Sequence, residues 1–238
     1  AIVVFHGAGV RSSNQPLTFA ALGFIAMDVN AHGIANGQPT DFYKKLNENE
    51  LKDYRLRNGG NPETIYFRGM FLRVMRALEY MKSRPEWDGK VLVVYGGSQG
   101  GAQALVATAL DPQVTCCVAF VPALCHHLGI LDGQSSGWPR YISLKNGKPA
   151  DDAIVKTVQY YDAANFASRI KNADCLLSAG LIDTTCAPTS VYVAFNNIPS
   201  ASKVVFPMVG VAHTTPKEVA VAANAFIKTH VEKMKAQK

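Results

Sequence analysis

The chain has 238 residues, 48% of them hydrophobic and 18% charged, a composition that fits one large α/β domain better than two small ones. The low charged fraction argues against long disordered tails. The longest apolar runs, such as Val91–Tyr95, are far shorter than the roughly 20 residues that a membrane-spanning helix needs. We therefore expect a soluble protein that does not cross a membrane.

The net charge of +6 raises the question of an anionic partner. The basic residues are dispersed, however, with small groups around Lys44–Arg57 and near the C-terminus. Aromatic residues do not alternate with a basic stripe, so the pattern is typical of a solvated surface. We expect no nucleic acid partner.

The five cysteines are an odd number, and no two of them have the spacing of a zinc site. We expect no metal ion, and the odd count favours a reducing compartment such as the cytoplasm. The chain opens on a buried-strand pattern, Ala1–Phe5, with no initiator methionine and no signal peptide. Because a domain rarely begins inside a core strand, we expect N-terminal strands to precede this sequence, and a periplasmic or secreted location stays open.

Short apolar runs alternate with helical patterns along the chain. The first half predicts strands at Ala1–Phe5, Phe24–Val29, Val91–Tyr95 and Val114–Phe120, with helices at Phe67–Met81 and Gly101–Leu110. Glycines and prolines then interrupt residues 121–165, which carry one helical stretch near Asp151–Tyr161 and are interpreted as an insertion near the active site.

The alternation resumes after the insertion. Strands are predicted at Cys175–Ser178 and Lys203–Pro207, and helices at Thr189–Phe195 and from Thr215 onward. Strands that alternate with helices over a single domain, residues 1–238, predict an α/β fold with a doubly wound, mostly parallel sheet.

The strongest local signal is the segment Gly96-Gly97-Ser98-Gln99-Gly100, between a predicted strand and an alanine-rich helix. This is G-x-S-x-G in the strand–turn–helix setting of the α/β-hydrolase fold, where a strained turn exposes the serine hydroxyl. A phosphate-binding loop is the alternative, but the sequence has no G-x-x-x-x-G-K-[ST] motif and no acidic residue placed for a ribose. We predict Ser98 as the nucleophile.

A serine nucleophile requires two backbone N–H donors for the oxyanion of the tetrahedral intermediate. We predict that Gln99, which follows the nucleophile, supplies one of them. We assign the other to Ala8, because His6-Gly7-Ala8-Gly9 directly follows the first strand, as the corresponding loop does in lipases and esterases. His6 precedes Ser98 in the chain, whereas this fold places its catalytic histidine last, so we interpret His6 as a brace of this loop.

Four histidines follow Ser98, and we predict His213 as the base. It lies between a strand that ends near Pro207 and the last helix, at the end of the strand where this fold presents catalytic groups. His230 lies within the last helix and is expected to be exposed. His126 and His127 lie in the insertion, where they are expected to line the pocket.

The acid is expected between the serine and the base in the chain. We predict Asp183, because it lies on a short loop after the strand Cys175–Ser178. Asp162 and Asp174 are alternatives that do not follow the C-terminal end of a strand. Asp28 does end a strand but precedes the serine.

Several segments together resemble one family. They are Phe5-His6-Gly7, Asp28–Gly33, Arg68-Gly69-Met70, GGSQGG at 96–101, Asn165–Ile170 and Gly180–Pro188. Over nearly its whole length the chain resembles the acetyl xylan esterase and cephalosporin C deacetylase group, carbohydrate esterase family seven. The resemblance implies a serine esterase that deacetylates short acetylated xylo-oligosaccharides and other small acetyl esters through an acyl-enzyme, without a cofactor. It also implies the triad Ser98, Asp183 and His213 and a ring-like homo-oligomer.

The sequence departs from the family pattern near these residues. Ala8 stands where the family has a tyrosine, Ala187 replaces a proline, and Thr214 replaces the glutamate after His213. The change at Ala8 removes a bulky wall and leaves the preferred acyl length open.

Two alternatives remain open beside this interpretation. The first is another serine hydrolase, either a general carboxylesterase or a peptidase. A lipase is disfavoured because the insertion mixes polar and apolar residues and is not a long apolar lid. The second is a catalytically silent α/β-hydrolase domain used for binding, which is disfavoured because Ser98, Asp183 and His213 are all present.

Overall fold

The computed structural model describes residues 1–13 and 15–236 of the chain. In chain order, its strands are β1 Ile2–Phe5, β2 Ala26–Val29, β3 Val93–Gly97, β4 Cys116–Phe120, β5 Leu144–Lys145, β6 Lys148–Pro149, β7 Asp174–Gly180 and β8 Lys203–Met208. Its α-helices are α1 Leu17–Ala21, α2 Thr40–Glu48, α3 Tyr66–Lys82, α4 Gln99–Leu110, α5 Asp152–Gln159, α6 Ala163–Ala167, α7 Pro188–Asn197 and α8 Lys217–Ala236. Two short 3₁₀ helices span Tyr54–Leu56 and His127–Asp132.

Six strands form one sheet in the order β2-β1-β3-β4-β7-β8, and every neighbouring pair is parallel. The predicted doubly wound parallel sheet is therefore confirmed. From β1 the chain first adds β2 on one side and then β3 on the other, so the strand order reverses between β1 and β3. In open α/β sheets, the carboxyl ends of strands at such a reversal border the ligand-binding crevice.

The central strands are buried on both faces, as parallel strands between two layers of helices must be. All residues of β4 and β7 are buried. Successive side chains of β3 and β4 alternate between two apolar clusters, with Val94 and Cys117 in one and Val93 and Cys116 in the other. Helices α3, α4, α6 and α7 cover the first cluster, and α8 covers the second.

Some elements differ from the sequence-based predictions. Helices α1, α2 and α6 were not predicted, because α1 and α6 have only five residues each and α2 buries a single side chain, Tyr43. None of the three therefore carries the repeated apolar spacing that predicts a helix. The strand predicted to begin at Phe24 begins at Ala26, and β7 extends beyond its predicted bounds at both ends.

The segment 121–165 follows β4 and forms most of the connection to its sheet neighbour β7, and it carries the antiparallel pair β5–β6 and helix α5. The predicted helix near Asp151–Tyr161 corresponds to α5, whose first turn is capped by the Asp151 carboxylate. That carboxylate accepts hydrogen bonds from the N–H groups of Ala153 at 2.8 Å and Ile154 at 3.3 Å. Within residues 1–13 and 15–236, no helix combines the length and apolarity that crossing a membrane requires.

The turn between β3 and α4 lies in direct backbone contact with β1. A Cβ atom added at Gly100 would collide with the carbonyl oxygen of Phe5, and one added at Gly96 would collide with the carbonyl oxygen of Gly100. Since both obstacles are backbone atoms, they cannot rotate away. Only glycine fits at these two positions, and β1 would otherwise be pushed away from the turn.

We therefore predict that Gly100→Ala lowers thermal stability strongly, because overpacking in a core costs about 1–3 kcal/mol or more. The matched control is Gly69→Ala within α3, where the added Cβ would lie at an ordinary 3.5 Å from Arg73. Removing a glycine from a helix interior should leave stability equal or raise it by roughly 0.5–1 kcal/mol. Thermal unfolding followed by circular dichroism measures both effects, and an unchanged melting temperature for Gly100→Ala would contradict the close approach.

Candidate active site

Ser98 occupies the turn between β3 and α4 with a strained backbone. Its φ of 55° and ψ of −121° lie outside the regions that a serine ordinarily adopts. Backbone hydrogen bonds hold it there: its N–H donates to the Phe120 carbonyl at 2.8 Å, and its own carbonyl accepts from Ala123 at 3.0 Å. The strained turn inferred from the sequence is thus observed, and it is fixed by the neighbouring strand β4.

The side chains of Ser98, His213 and Asp183 meet at the carboxyl ends of three strands, β3, β8 and β7. Nε2 of His213 lies 2.9 Å from Oγ of Ser98, and Nδ1 lies 2.7 Å from Oδ2 of Asp183. An ionised carboxylate can only accept, so Nδ1 of a neutral imidazole carries the proton and Nε2 accepts from the serine hydroxyl. This arrangement allows the imidazole to take the serine proton during nucleophilic attack.

The Asp183 carboxylate is held on its second oxygen by the backbone. Oδ1 accepts hydrogen bonds from the N–H groups of Thr185 at 2.7 Å and Cys186 at 3.0 Å. The loops that carry Asp183 and His213 are also joined directly, because the Ile182 N–H donates to the Val211 carbonyl at 3.2 Å. These contacts fix the carboxylate relative to the imidazole.

The loop after β1 lies beside Ser98. A Cβ added at Gly7 would lie 3.8 Å from the Cβ of Ser98, which places the next residue, Ala8, at the edge of the same site. His6 holds this loop: the Ala31 N–H donates to its Nε2 at 3.0 Å, so its Nδ1 donates to the Gly7 carbonyl at 2.6 Å. Burial lowers the pKa of His6, which keeps the ring neutral. The bracing role predicted for His6 is confirmed.

A cavity of about 490 Å³ borders the loop that follows Asp183. Its lining is mixed, with two arginines, two threonines, a tryptophan, a leucine and a proline: Arg55, Arg140, Thr184, Thr185, Trp138, Leu56 and Pro139. The Arg140 guanidinium donates a hydrogen bond to the Thr184 carbonyl, which joins the cavity wall to the Asp183 loop. Among the residues that the structure describes, no group of three or more His, Cys, Asp or Glu could hold a metal ion.

A family model described as acetyl xylan esterase (AXE1) matches residues 1–229 of the chain. The chain belongs to the acetyl xylan esterase family. Among curated proteins, it is 36% identical over 197 residues to the acetyl esterase Axe7A of Xylanibacter ruminicola. That match covers 81% of this chain and 44% of the relative, so the chain spans less than half of the relative's length.

Solved structures of acetyl xylan esterases have a similar fold. The acetyl xylan esterase from Paenibacillus sp. R4 is 26% identical, with a TM-score of 0.79 over 96% of this chain and 73% of that one. Acetyl xylan esterase 1 from Thermoanaerobacterium sp. JW/SL YS485 is 24% identical, with a TM-score of 0.77 over 96% of this chain and 74% of that one, and it shows the same fold.

The prediction that His230 is exposed is wrong. His230 is only 3% exposed; its Nδ1 lies 2.7 Å from Oδ2 of Asp174, and its Nε2 lies 2.9 Å from Oγ1 of Thr115. It shares the inner face of α8 with Ala223 and Ile227, at the helical spacings i, i+4 and i+7. That spacing was visible in the sequence and predicts burial.

Thr115, His230 and Asp174 repeat the hydroxyl–imidazole–carboxylate geometry at the opposite end of the sheet. Asp174 begins β7, and the Thr115 hydroxyl also accepts from the Leu92 N–H at 3.2 Å. Lys233 adds an ion pair to Asp174 at 3.0 Å. These contacts fasten α8 to the amino ends of the strands, so Asp174 has a structural role.

The prediction that His127 lines the pocket is also wrong. His127 is buried, with its ring packed edge-on against Tyr141 at a centroid distance of 5.5 Å, and burial lowers its pKa. His126 is partly exposed, with Nε2 lying 3.8 Å from the Asp132 carboxylate. The Asp162 carboxylate accepts from the N–H groups of His126 at 2.9 Å and His127 at 2.7 Å, so Asp162 organises this turn.

Asp28, the remaining alternative to Asp183 as the acid, has its hydrogen-bond partners outside the site. Its carboxylate accepts hydrogen bonds from the Ser13 hydroxyl and from the Asn36 side chain. These partners belong to the loops that follow β1 and β2. Asp28 therefore ties two loops together and does not contact His213.

Cys186 is a site residue that sequence reasoning missed. Burial raises the pKa of its thiol to about 12, although interactions with the Trp138 backbone and the Ser98 side chain act in the opposite direction. Cys186 is therefore a buried, neutral side chain that lies beside Ser98 and beside Trp138 of the cavity wall. Only its position three residues after Asp183 offered a signal in the sequence.

The two aspartate–histidine pairs predict opposite outcomes for the same substitution. Asp183→Asn should lower ester hydrolysis by about 10⁴-fold, because the amide favours the wrong imidazole tautomer. Asp174→Asn should leave kcat unchanged but lower the free energy of unfolding, since breaking a buried ion pair costs up to roughly 3–5 kcal/mol. Ester hydrolysis and chemical unfolding of both variants check this pair of outcomes, and a loss of kcat in Asp174→Asn would contradict it.

The loss of unfolding free energy caused by Asp174→Asn should depend on pH. Burial acts to raise the pKa of Asp174, but hydrogen bonds from Ser202, His230 and Lys233 outweigh it, so the pKa is lowered overall. A lowered pKa contributes stability that is present above the unfolded-state value of about 3.9 and is lost as pH falls through the folded-state value. The difference in unfolding free energy between wild type and variant should therefore be largest at neutral pH and decrease below about pH 4. Chemical unfolding at a series of pH values measures this difference.

Proposed function

We propose that this chain is a serine esterase that removes acetyl groups from acetylated xylo-oligosaccharides and other small acetyl esters through an acyl-enzyme intermediate. The observation that carries the proposal is the hydrogen-bonded series Ser98–His213–Asp183, at 2.9 and 2.7 Å. Membership of the acetyl xylan esterase family supports the acetyl ester as the bond that is cleaved. Relatives named for acetyl ester hydrolysis point the same way.

The proposed reaction has two acyl-transfer steps. His213 takes the proton of Ser98 as its Oγ attacks the acetyl carbonyl carbon, and Asp183 stabilises the imidazolium that forms. The backbone N–H groups of Ala8 and Gln99 stabilise the oxyanion, and each such donor is worth on the order of 3 kcal/mol. The sugar oxygen then leaves with the proton from His213, and water attacks the acetyl-enzyme by the same route. These steps require no cofactor.

The cavity beside the site supports a saccharide as the alcohol part of the ester. Two arginines and two threonines supply donors for sugar hydroxyl groups, and Trp138 offers an apolar face. A lipid substrate would require a longer apolar lining than this one. We further propose that the protein forms a homo-oligomer, as the family resemblance implies; light scattering coupled to gel filtration tests this.

We predict that Ser98→Ala abolishes hydrolysis of p-nitrophenyl acetate, with a loss of kcat on the order of 10⁶-fold, because the rate that the oxyanion donors sustain without the nucleophile is small beside that of the intact triad. The variant should fold normally, with an unchanged circular dichroism spectrum. It should also fail to react with a fluorophosphonate probe, whereas the wild type reacts at Ser98. Near wild-type activity in Ser98→Ala would contradict the proposal. A wild type that does not react with the fluorophosphonate probe would favour a catalytically silent binding domain.

We predict a preference for acetyl over longer acyl groups, measured as kcat/KM for p-nitrophenyl acetate, butyrate and octanoate. A small acyl pocket excludes longer chains by steric overlap, which discriminates more sharply than the roughly 1–3 kcal/mol that one methylene contributes. The acetylated xylo-oligosaccharide should be a substrate in the same assay, whereas a peptide should not. An optimum at butyrate or octanoate would leave a general carboxylesterase, and Ala8→Tyr should then shift the preference toward acetyl.

A further inference from the structure

Tyr54 is a buried residue that joins the two segments carrying the proposed oxyanion donors. It lies on the 3₁₀ helix Tyr54–Leu56, between α2 and α3, and is 6% exposed. Its hydroxyl accepts a hydrogen bond from the Gly9 N–H at 3.3 Å and lies 2.8 Å from Oε1 of Gln99. Gly9 follows Ala8, the first proposed donor, and Gln99 supplies the second.

The direction of both hydrogen bonds at Tyr54 is fixed by chemistry. The Gly9 N–H group can only donate, so the tyrosine oxygen is its acceptor. The single phenolic proton is then free to bond Oε1 of Gln99, which is an acceptor. Burial raises the pKa of Tyr54 to about 12, so the hydroxyl keeps this proton at neutral pH.

The carbonyl of Gly9 is held from the other side by His32. Nε2 of His32 lies 3.2 Å from the Gly9 carbonyl oxygen, and its Nδ1 lies 2.7 Å from the Tyr66 hydroxyl. Since a carbonyl only accepts, Nε2 carries the ring proton and Nδ1 accepts from Tyr66. Burial lowers the pKa of His32 to about 4, so this neutral tautomer persists at neutral pH.

Both backbone polar groups of Gly9 therefore bond buried aromatic side chains, and the rings pack on one another. The His32 ring meets the Tyr54 ring edge-on, with centroids 4.5 Å apart. Gly9 itself has a φ of +116°, a conformation that side chains rarely adopt. The loop next to the nucleophile is thus anchored through Gly9, while Ala8 beside it is exposed.

We propose that Tyr54 is a positioning residue that sets the distance between the two oxyanion donors, Ala8 and Gln99. The inference rests on the proposed esterase function. Oxyanion donors act only when they are aimed at the oxygen of the tetrahedral intermediate, and a displacement of about 1 Å can cost roughly 10²-fold in rate. Tyr54 does not touch the substrate; it acts through the backbone of Gly9 and the side chain of Gln99.

The test is Tyr54→Phe, which removes the hydroxyl and keeps the ring. We expect kcat/KM for p-nitrophenyl acetate to fall by about 10- to 100-fold. The inhibition constant of a trifluoromethyl ketone should rise by the same factor, because its adduct with Ser98 places an oxyanion between the same two donors. A purely structural role would lower the melting temperature without this parallel change.

Tyr43→Phe is the matched control. Tyr43 is 7% exposed, accepts from the Gln38 N–H at 3.1 Å and donates to the Ala35 carbonyl at 2.8 Å, so it loses an equivalent pair of hydrogen bonds away from the site. We expect a similar loss of stability with unchanged kcat/KM and inhibitor affinity. If Tyr54→Phe behaves like Tyr43→Phe, the positioning role is overturned.

A second variant keeps the test decisive if Tyr54→Phe does not fold. Gln99→Met removes the acceptor of the Tyr54 proton but retains the backbone N–H of residue 99. It should lower kcat/KM and inhibitor affinity together; where both variants fold, the double variant should lose little more than either one. Unchanged kinetics in Gln99→Met would overturn the inference. Wild-type hydrolysis that depends on Ser98 establishes the esterase function separately, whatever Tyr54 does.

Discussion

The close approach of β1 to the turn between β3 and α4 is the constraint on which the site depends. Gly100 leaves room for the carbonyl of Phe5, the last residue of β1, and Gly96 leaves room for Gly100. Because the two strands are adjacent and parallel, this contact places the loop after β1 beside Ser98. Backbone packing therefore brings the proposed nucleophile next to the loop that carries the proposed donor Ala8.

Two imidazole–carboxylate pairs with the same spacing show that distance alone does not define an active site. The His213 side chain is 28% exposed and faces Ser98, whose strained backbone presents its hydroxyl at the carboxyl end of the sheet. The His230 side chain is 3% exposed and faces Thr115, whose hydroxyl is already bonded to the backbone at the other end. The two pairs differ in their end of the sheet and in their exposure to solvent. These two properties distinguish the proposed catalytic pair, His213–Asp183, from the structural pair, His230–Asp174.

Buried, neutral polar side chains hold the loop after β1, which carries the proposed oxyanion donor Ala8. His6 and His32 are both neutral because burial disfavours their charged forms, and each donates one ring proton to a backbone carbonyl of the loop. Tyr54 accepts a hydrogen bond from the Gly9 N–H of the same loop, and Tyr66 donates to Nδ1 of His32. A buried network with paired donors and acceptors is rigid, and rigidity is what a preorganised oxyanion site requires.

The sequence by itself determined the parallel α/β sheet, through apolar runs that alternate with helical spacing, and it located Ser98, Asp183 and His213 through their places after predicted strands. Those signals are local, since each depends on a few neighbouring residues. Only the tertiary structure decided that His127 packs on Tyr141 instead of lining the pocket, and that Tyr54 reaches the site. Tyr54 is separated by 45 residues from both Gly9 and Gln99. A contact of that kind has no periodicity or motif in the chain, because it exists only once the sheet has brought distant loops to one edge.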